Sequence, residues 1–124
     1  VTDHSIESQL DDAVLKVEKT TFSCCAVPEV AELTHQQVLP QWILVGIETH
    51  VCVLQTALQL KAAGQDVLVV RDACYSRQTG HHKNALQRLS QAGVFISNTE
   101  SVLFEWLRDS RHPDFKSLSK LIQS

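Results

Sequence analysis

The feature that most constrains this chain is an alternation, in its middle, of short apolar runs with stretches of helical periodicity. Trp42-Ile43-Leu44-Val45 is continuously apolar and bounded by Pro40 and Gly46. That pattern fits a strand buried on both faces. Val51, Leu54, Leu58 and Ala62 then recur at helical spacing over residues 51–63, and Gly64 is placed to end that helix. Val67 to Val70 reads as a second buried strand. Residues 41–71 thus form a strand–helix–strand unit, and such a crossover makes the two strands parallel.

The unit is followed by a second round. His82, Ala85, Leu86, Leu89 and Ala92 share one helical face, Gly93 ends it, and Val94 to Ser97 forms a short strand. Ser97-Asn98-Thr99-Glu100 reads as a capping box that opens another helix. Val102, Leu103, Trp106 and Leu107 supply that helix with its buried face, and Trp42 and Trp106 both read as core. Pro113 suits the first turn of a last helix burying Phe115, Leu118, Leu121 and Ile122. Upstream, Ile6 to Leu15 reads as helical, Leu15 to Glu18 as a short strand and Pro28 to Gln37 as a helix. The fold expected is α/β, a three-layer Rossmann-like arrangement around a mostly parallel sheet.

A length of 124 residues suits one domain, spanning 1–124. With 11 basic and 14 acidic residues the net charge is −3, which gives no footprint for nucleic acid or an anionic membrane. No apolar run reaches membrane-spanning length. Cys24, Cys25, Cys52 and Cys74 include no C-x-x-C pair and read as free thiols of a reducing, cytoplasmic compartment. A disulfide relay through Cys24 and Cys25 is disfavoured on the same ground.

Cys52 carries the chemical interest. It lies between the first strong strand and its helix, in Gly46-Ile47-Glu48-Thr49-His50-Val51-Cys52. In open parallel sheets, sites form outside the carboxyl ends of the strands. With Thr49 as N-cap, Cys52 falls in the first helical turn, where unpaired amides and the helix dipole favour a thiolate. The same amides could hold an oxyanion. The competing reading, a small buried hydrophobe, carries about equal weight on spacing alone.

Lys19 follows the expected short strand and by itself reads as a solvated lysine. Asp72 ends a buried strand and reads as a turn or helix cap. His50, two residues before Cys52, is a candidate base or pocket-mouth residue. The six histidines show no metal-ligand spacing, and no H-E-x-x-H occurs.

Several segments, in order, resemble the isochorismatase-like cysteine hydrolases, closest to the isochorismatase domain-containing proteins. They are Glu18-Lys19-Thr20-Thr21-Phe22-Ser23, Val45 to Ala57, Val69 to Ala73 with Ser76-Arg77, and His112 to Lys116. The resemblance covers residues 16–124. It implies a triad of cysteine, lysine and aspartate, with Cys52 as the cysteine and Lys19 as the lysine. It implies a non-proline cis peptide between Ile47 and Glu48, and an oxyanion site formed by the amides of Glu48 and Cys52, with Thr49 and His50 beside it.

The chain departs from the family pattern in one respect. The aspartate expected at the end of the family's first strand, before a glutamine, has no counterpart, and Asp11 and Asp12 lie in a polar stretch. Val1-Thr2-Asp3 resembles the end of the family's second strand, so the chain is expected to lack the N-terminal strands of the domain. Asp3 and His4 are adjacent, unlike the Asp-x-His of the nicotinamidase metal site, so no metal and no cofactor are expected. The resemblance implies a hydrolase of small amides or related acyl compounds, acting through a thioester and commonly a homo-oligomer. The rival is a non-catalytic protein that keeps the fold for interaction or assembly.

Overall fold

The computed structural model describes residues 2–36 and 41–123. Three strands, β1 (Gln41–Ile47), β2 (Asp66–Tyr75) and β3 (Phe95–Ser97), form a wholly parallel sheet in the order β1-β2-β3. Helices α1 (His4–Glu7) and α2 (Pro28–Gln36) precede it. Helices α3 (Leu54–Ala62) and α4 (Thr79–Gln91) connect the strands, and α5 (Thr99–Leu107) and α6 (Phe115–Gln123) follow. The α/β reading therefore holds.

Side chains alternate across the sheet, and the two faces are covered by different helices. Val67 and Val69 of β2 join Leu54, Ala57 and Leu60 of α3 and Ala85, Leu86 and Leu89 of α4 in the main core, with Trp42, Leu44 and Ile96 packed against it. Val70, on the other face, is buried beneath α5, which contributes the buried Val102. Helices on both faces give three layers.

The helix ends follow their sequence signals. Gly64 has φ +82°, a conformation that costs other residues. It lets Gln65 N donate to Leu60 O and Gly64 N to Lys61 O, which completes a Schellman motif. The same pair of bonds ends α4, where Val94 N reaches Leu89 O and both side chains are buried.

Several expectations need correction. The strand expected over Val67–Val70 runs ten residues, because Cys74 and Tyr75 return to pair with Gly46 and Ile47 after a polar detour. Residues 70–73 lie opposite the single Val45, and Gly46 takes φ +127° at this irregularity. β1 is not buried on both faces: Trp42 and Leu44 pack on the core, whereas Val45 and Ile47, on the opposite face, are exposed, and β1 pairs with β2 alone among the described residues.

α3 buries Leu54, Thr56, Ala57 and Leu60, with Val53 just before it, rather than Val51, Leu54, Leu58 and Ala62. A π-helical turn, Thr49–Val53, precedes α3, and its extra residue rotates the stripe. Asn98, not Ser97, caps α5, accepting from Ser101 N. Trp106 is 67% exposed rather than core. Pro113 lies in the turn before α6, and α6 buries no residue. Leu121 is 70% exposed, and Phe115 meets Phe104 at 5.9 Å.

At the N-terminal end only His4–Glu7 is helical, capped by Asp3, and residues 15–18 are irregular rather than a strand. Gln37 and Pro40 lie outside the described residues.

Candidate active site

The site lies at the carboxyl end of β1. The peptide joining Ile47 to Glu48 is cis, at the position the family resemblance implied. The chain then enters the π-helical turn, with Val51 N and Val53 N both donating to Glu48 O. Glu48, not Thr49, occupies the N-cap position, and its side chain makes no capping bond there. Cys52 sits in this turn, half-buried and with a free thiol.

Lys19 meets it from a distant part of the sequence, with Nζ 3.8 Å from Cys52 Sγ. The lysine is held in place, donating to Thr21 O at 2.8 Å and Phe22 O at 3.0 Å. Its segment is tied to α3 in turn. Cys24 N donates to Thr56 Oγ1 (2.9 Å), Cys25 Sγ lies 3.7 Å from Thr56 O, and Ser23 Oγ donates to Gln59 Oε1 (2.6 Å). Thr56 and Gln59 follow Cys52 at helical spacing, so one stripe of the helix carries the thiol and then the two anchors of the lysine segment. Sequence reasoning missed Ser23, Thr56 and Gln59. Thr56 and Gln59 share α3 with the polar Gln55 and Lys61, so polarity alone did not single them out.

Lys19, Cys24, Leu44, Ile47, Cys52 and Thr56 line a cavity of about 150 Å³. No carboxylate among the described residues lines it.

Glu48 and His50 face elsewhere. They line a separate cavity of about 310 Å³ with Arg77, Gln78 and His81. Residues two apart on a helical turn point to opposite sides, which separates His50 from Cys52. Glu48 accepts from Arg77 N (3.0 Å) and Nε (3.3 Å), and His50 Nδ1 lies 2.9 Å from Ser76 Oγ. The Arg77 amide, against the opposing effect of burial, and then the guanidinium hold the Glu48 carboxyl below the usual carboxylate range. Thr49 is fully buried, its Oγ1 2.9 Å from His82 Nδ1. The structure thus brings Lys19, Ile47 and Cys52 together, turns Glu48 and His50 away from the thiol, and seals Thr49 in the interior.

Asp72 lies outside the thiol cavity and accepts from Thr99 N (2.8 Å) and Thr99 Oγ1 (2.9 Å), so it braces the start of α5 as a cap would. Burial raises the thiols of Cys25 and Cys74 above the ordinary cysteine range. Among the described residues no group of three or more His, Cys, Asp or Glu is placed to hold a metal ion. None of their helices is long and apolar enough to cross a membrane.

The family profile of the isochorismatase domain matches residues 3–101. The chain belongs to the isochorismatase domain family. It is 43% identical over 122 residues to a secreted isochorismatase effector of Phytophthora sojae, covering 95% of this chain and 58% of that protein. It is 41% identical over 111 residues to isochorismatase domain-containing protein 2 of Xenopus laevis, covering 90% and 54%. A solved structure described as a ribonuclease of Caenorhabditis elegans superposes with a TM-score of 0.75 at 39% identity, covering 86% of this chain and 54% of that one. The chain therefore spans a little over half the length of these relatives.

Proposed function

We propose that this isochorismatase-family chain is part of a hydrolase that cleaves a small amide, or a related acyl compound, through a thioester on Cys52. The carrying observation is the Lys19 ammonium fixed 3.8 Å from the Cys52 sulfur, in a cavity at the carboxyl end of a parallel strand. A cation at that distance stabilises negative charge on sulfur. In this reading Cys52 Sγ attacks the substrate carbonyl, and the amides of Glu48 and Cys52 receive the oxyanion. The C–N bond then breaks, and the amine leaves with the proton taken from the thiol. Water adds to the thioester, releasing the carboxylic acid and restoring the thiol. The proton acceptor is the aspartate that the family resemblance implies, a group outside the described residues, since no carboxylate lines the cavity.

The reading includes a small-molecule substrate, a homo-oligomeric assembly and no nucleic-acid partner. The net charge of −3 supports the last of these. Four free thiols support a reducing, cytoplasmic setting. The absence of a carboxylate among the described residues that line the cavity favours a second reading, a non-catalytic member of the fold acting in assembly. Intact-mass analysis of the hydrolase that contains this chain together with its aspartate, after incubation with a panel of small primary amides and with ammonia release measured in parallel, separates the two. The enzyme reading expects an acyl adduct on Cys52 that is lost in Cys52→Ala. Ammonia release that survives Cys52→Ala would sink it. An RNA oligonucleotide in the same panel tests the activity named for the nematode relative, and cleavage of it alone would replace the amide reading.

A further inference from the structure

The turn bearing Cys52 is fastened on the side away from its sulfur. Each of three consecutive residues, Glu48, Thr49 and His50, spends its side chain on the β2–α4 region. Glu48 Oε2 accepts from Arg77 N and Nε at 3.0 and 3.3 Å. Thr49 Oγ1 lies 2.9 Å from His82 Nδ1. Ser76 Oγ lies 2.9 Å from His50 Nδ1 and also accepts from His50 N at 3.4 Å. Thr49 and Ser76 are both buried, so each hydroxyl would cost free energy if left unpaired. The His50 and His81 rings, 4.9 Å apart, complete the packing. The turn itself is π-helical, a form that is rare and seldom longer than one turn. The neighbouring cavity does not read as an anion site, because Glu48 already engages the Arg77 guanidinium.

We propose that Ser76, Arg77 and His82 act as positioning residues, a clamp that sets the conformation of the Thr49–Val53 turn and thereby the approach of Cys52 to Lys19. The catalytic consequence rests on the hydrolase reading, but the clamp does not. Its primary test is amide hydrogen exchange over residues 49–53 in the Thr49→Val/Ser76→Ala variant and in Ser76→Ala alone. Loss of buried hydrogen bonds predicts exchange faster by roughly tenfold in this turn, with the β2–β3 amides unchanged and Ser76→Thr restoring protection. Unchanged exchange in the turn, or an equal rise throughout the sheet, overturns the clamp.

A second readout addresses position. Lys19→Ala should slow iodoacetamide alkylation of Cys52 in the native background and have no effect in the Thr49→Val/Ser76→Ala background, where the sulfur is no longer held beside the ammonium. An equal effect of Lys19→Ala in both backgrounds also overturns the clamp. Failure to form an acyl adduct on Cys52, with the exchange result intact, counts against the hydrolase reading alone.

Discussion

Cys52 and Lys19 stand 33 residues apart in the chain and 3.8 Å apart in space. Iodoacetamide reacts with thiolates, so Cys52, Cys25 and Cys74 should label in a definite order. Cys52, half-exposed beside the ammonium, should react first. Cys25 and Cys74 should lag, because burial raises both thiols. Peptide mapping after a short pulse checks the order, and fastest labelling of Cys74 would contradict it. Asp72 offers a pH test. Burial raises its carboxyl, but the Thr99 amide and hydroxyl outweigh that and leave it below the ordinary value. A depressed carboxyl stabilises the fold above about pH 4 and loses that contribution as pH falls through the folded-state value. The Tm deficit of Asp72→Ala should therefore be larger at pH 7 than at pH 3, and an equal deficit at both would refute this. At this scale the family-like segments pointed to Cys52 and Lys19. Thr56, Gln59, Ser76 and His82 were not legible, because each matters through a partner that only folding brings near.

At the scale of elements, two local backbone features set the site. Gly46 at φ +127° is a position where a side chain is strained whatever space surrounds it. Gly46→Ala should cost about 1–3 kcal/mol in urea unfolding, and an unchanged midpoint would show the strand end to be more adaptable. The π-helical turn decides which face of α3 is buried. Leu60, fully buried, should cost about 2–5 kcal/mol when changed to alanine, and Leu58→Ala, at a half-buried position, should cost less. The reverse order would restore the face read from apolar spacing. That spacing found the helix correctly, because periodicity of period 3.6 survives in any register. It could not show the extra residue at the start of the helix, which leaves no mark in composition. β2 was read short for a related reason: Arg71 and Asp72 break the apolar run, while pairing with β1 resumes beyond them.

For the molecule as a whole, the free edge of β1 is the conspicuous feature. Among the described residues β1 has no strand neighbour on one side, and its residues Val45 and Ile47 are 59% and 68% exposed. An uncharged apolar edge invites pairing with another chain. The chain should therefore self-associate with rising concentration in sedimentation velocity, and Val45→Lys should reduce that association. A monomer at all concentrations would argue against an accessible edge. α6 was likewise misread from its stripe: its apolar face was read as buried, yet Leu121 is 70% exposed and α6 buries no residue.

What the sequence determined by itself is the order of strands and helices from β1 onward, their parallel arrangement and the place of the thiol between a strand and its helix. These follow from local periodicity, from turn residues and from the chain geometry of a strand–helix–strand crossover. What only the tertiary structure decided is which faces are buried, that β1 is an edge among the described residues, and that Thr49 is sealed in the interior while His50 turns to a separate cavity rather than that of Cys52. Burial and hydrogen-bond partnership are relations between distant segments, and no single stretch of residues encodes them.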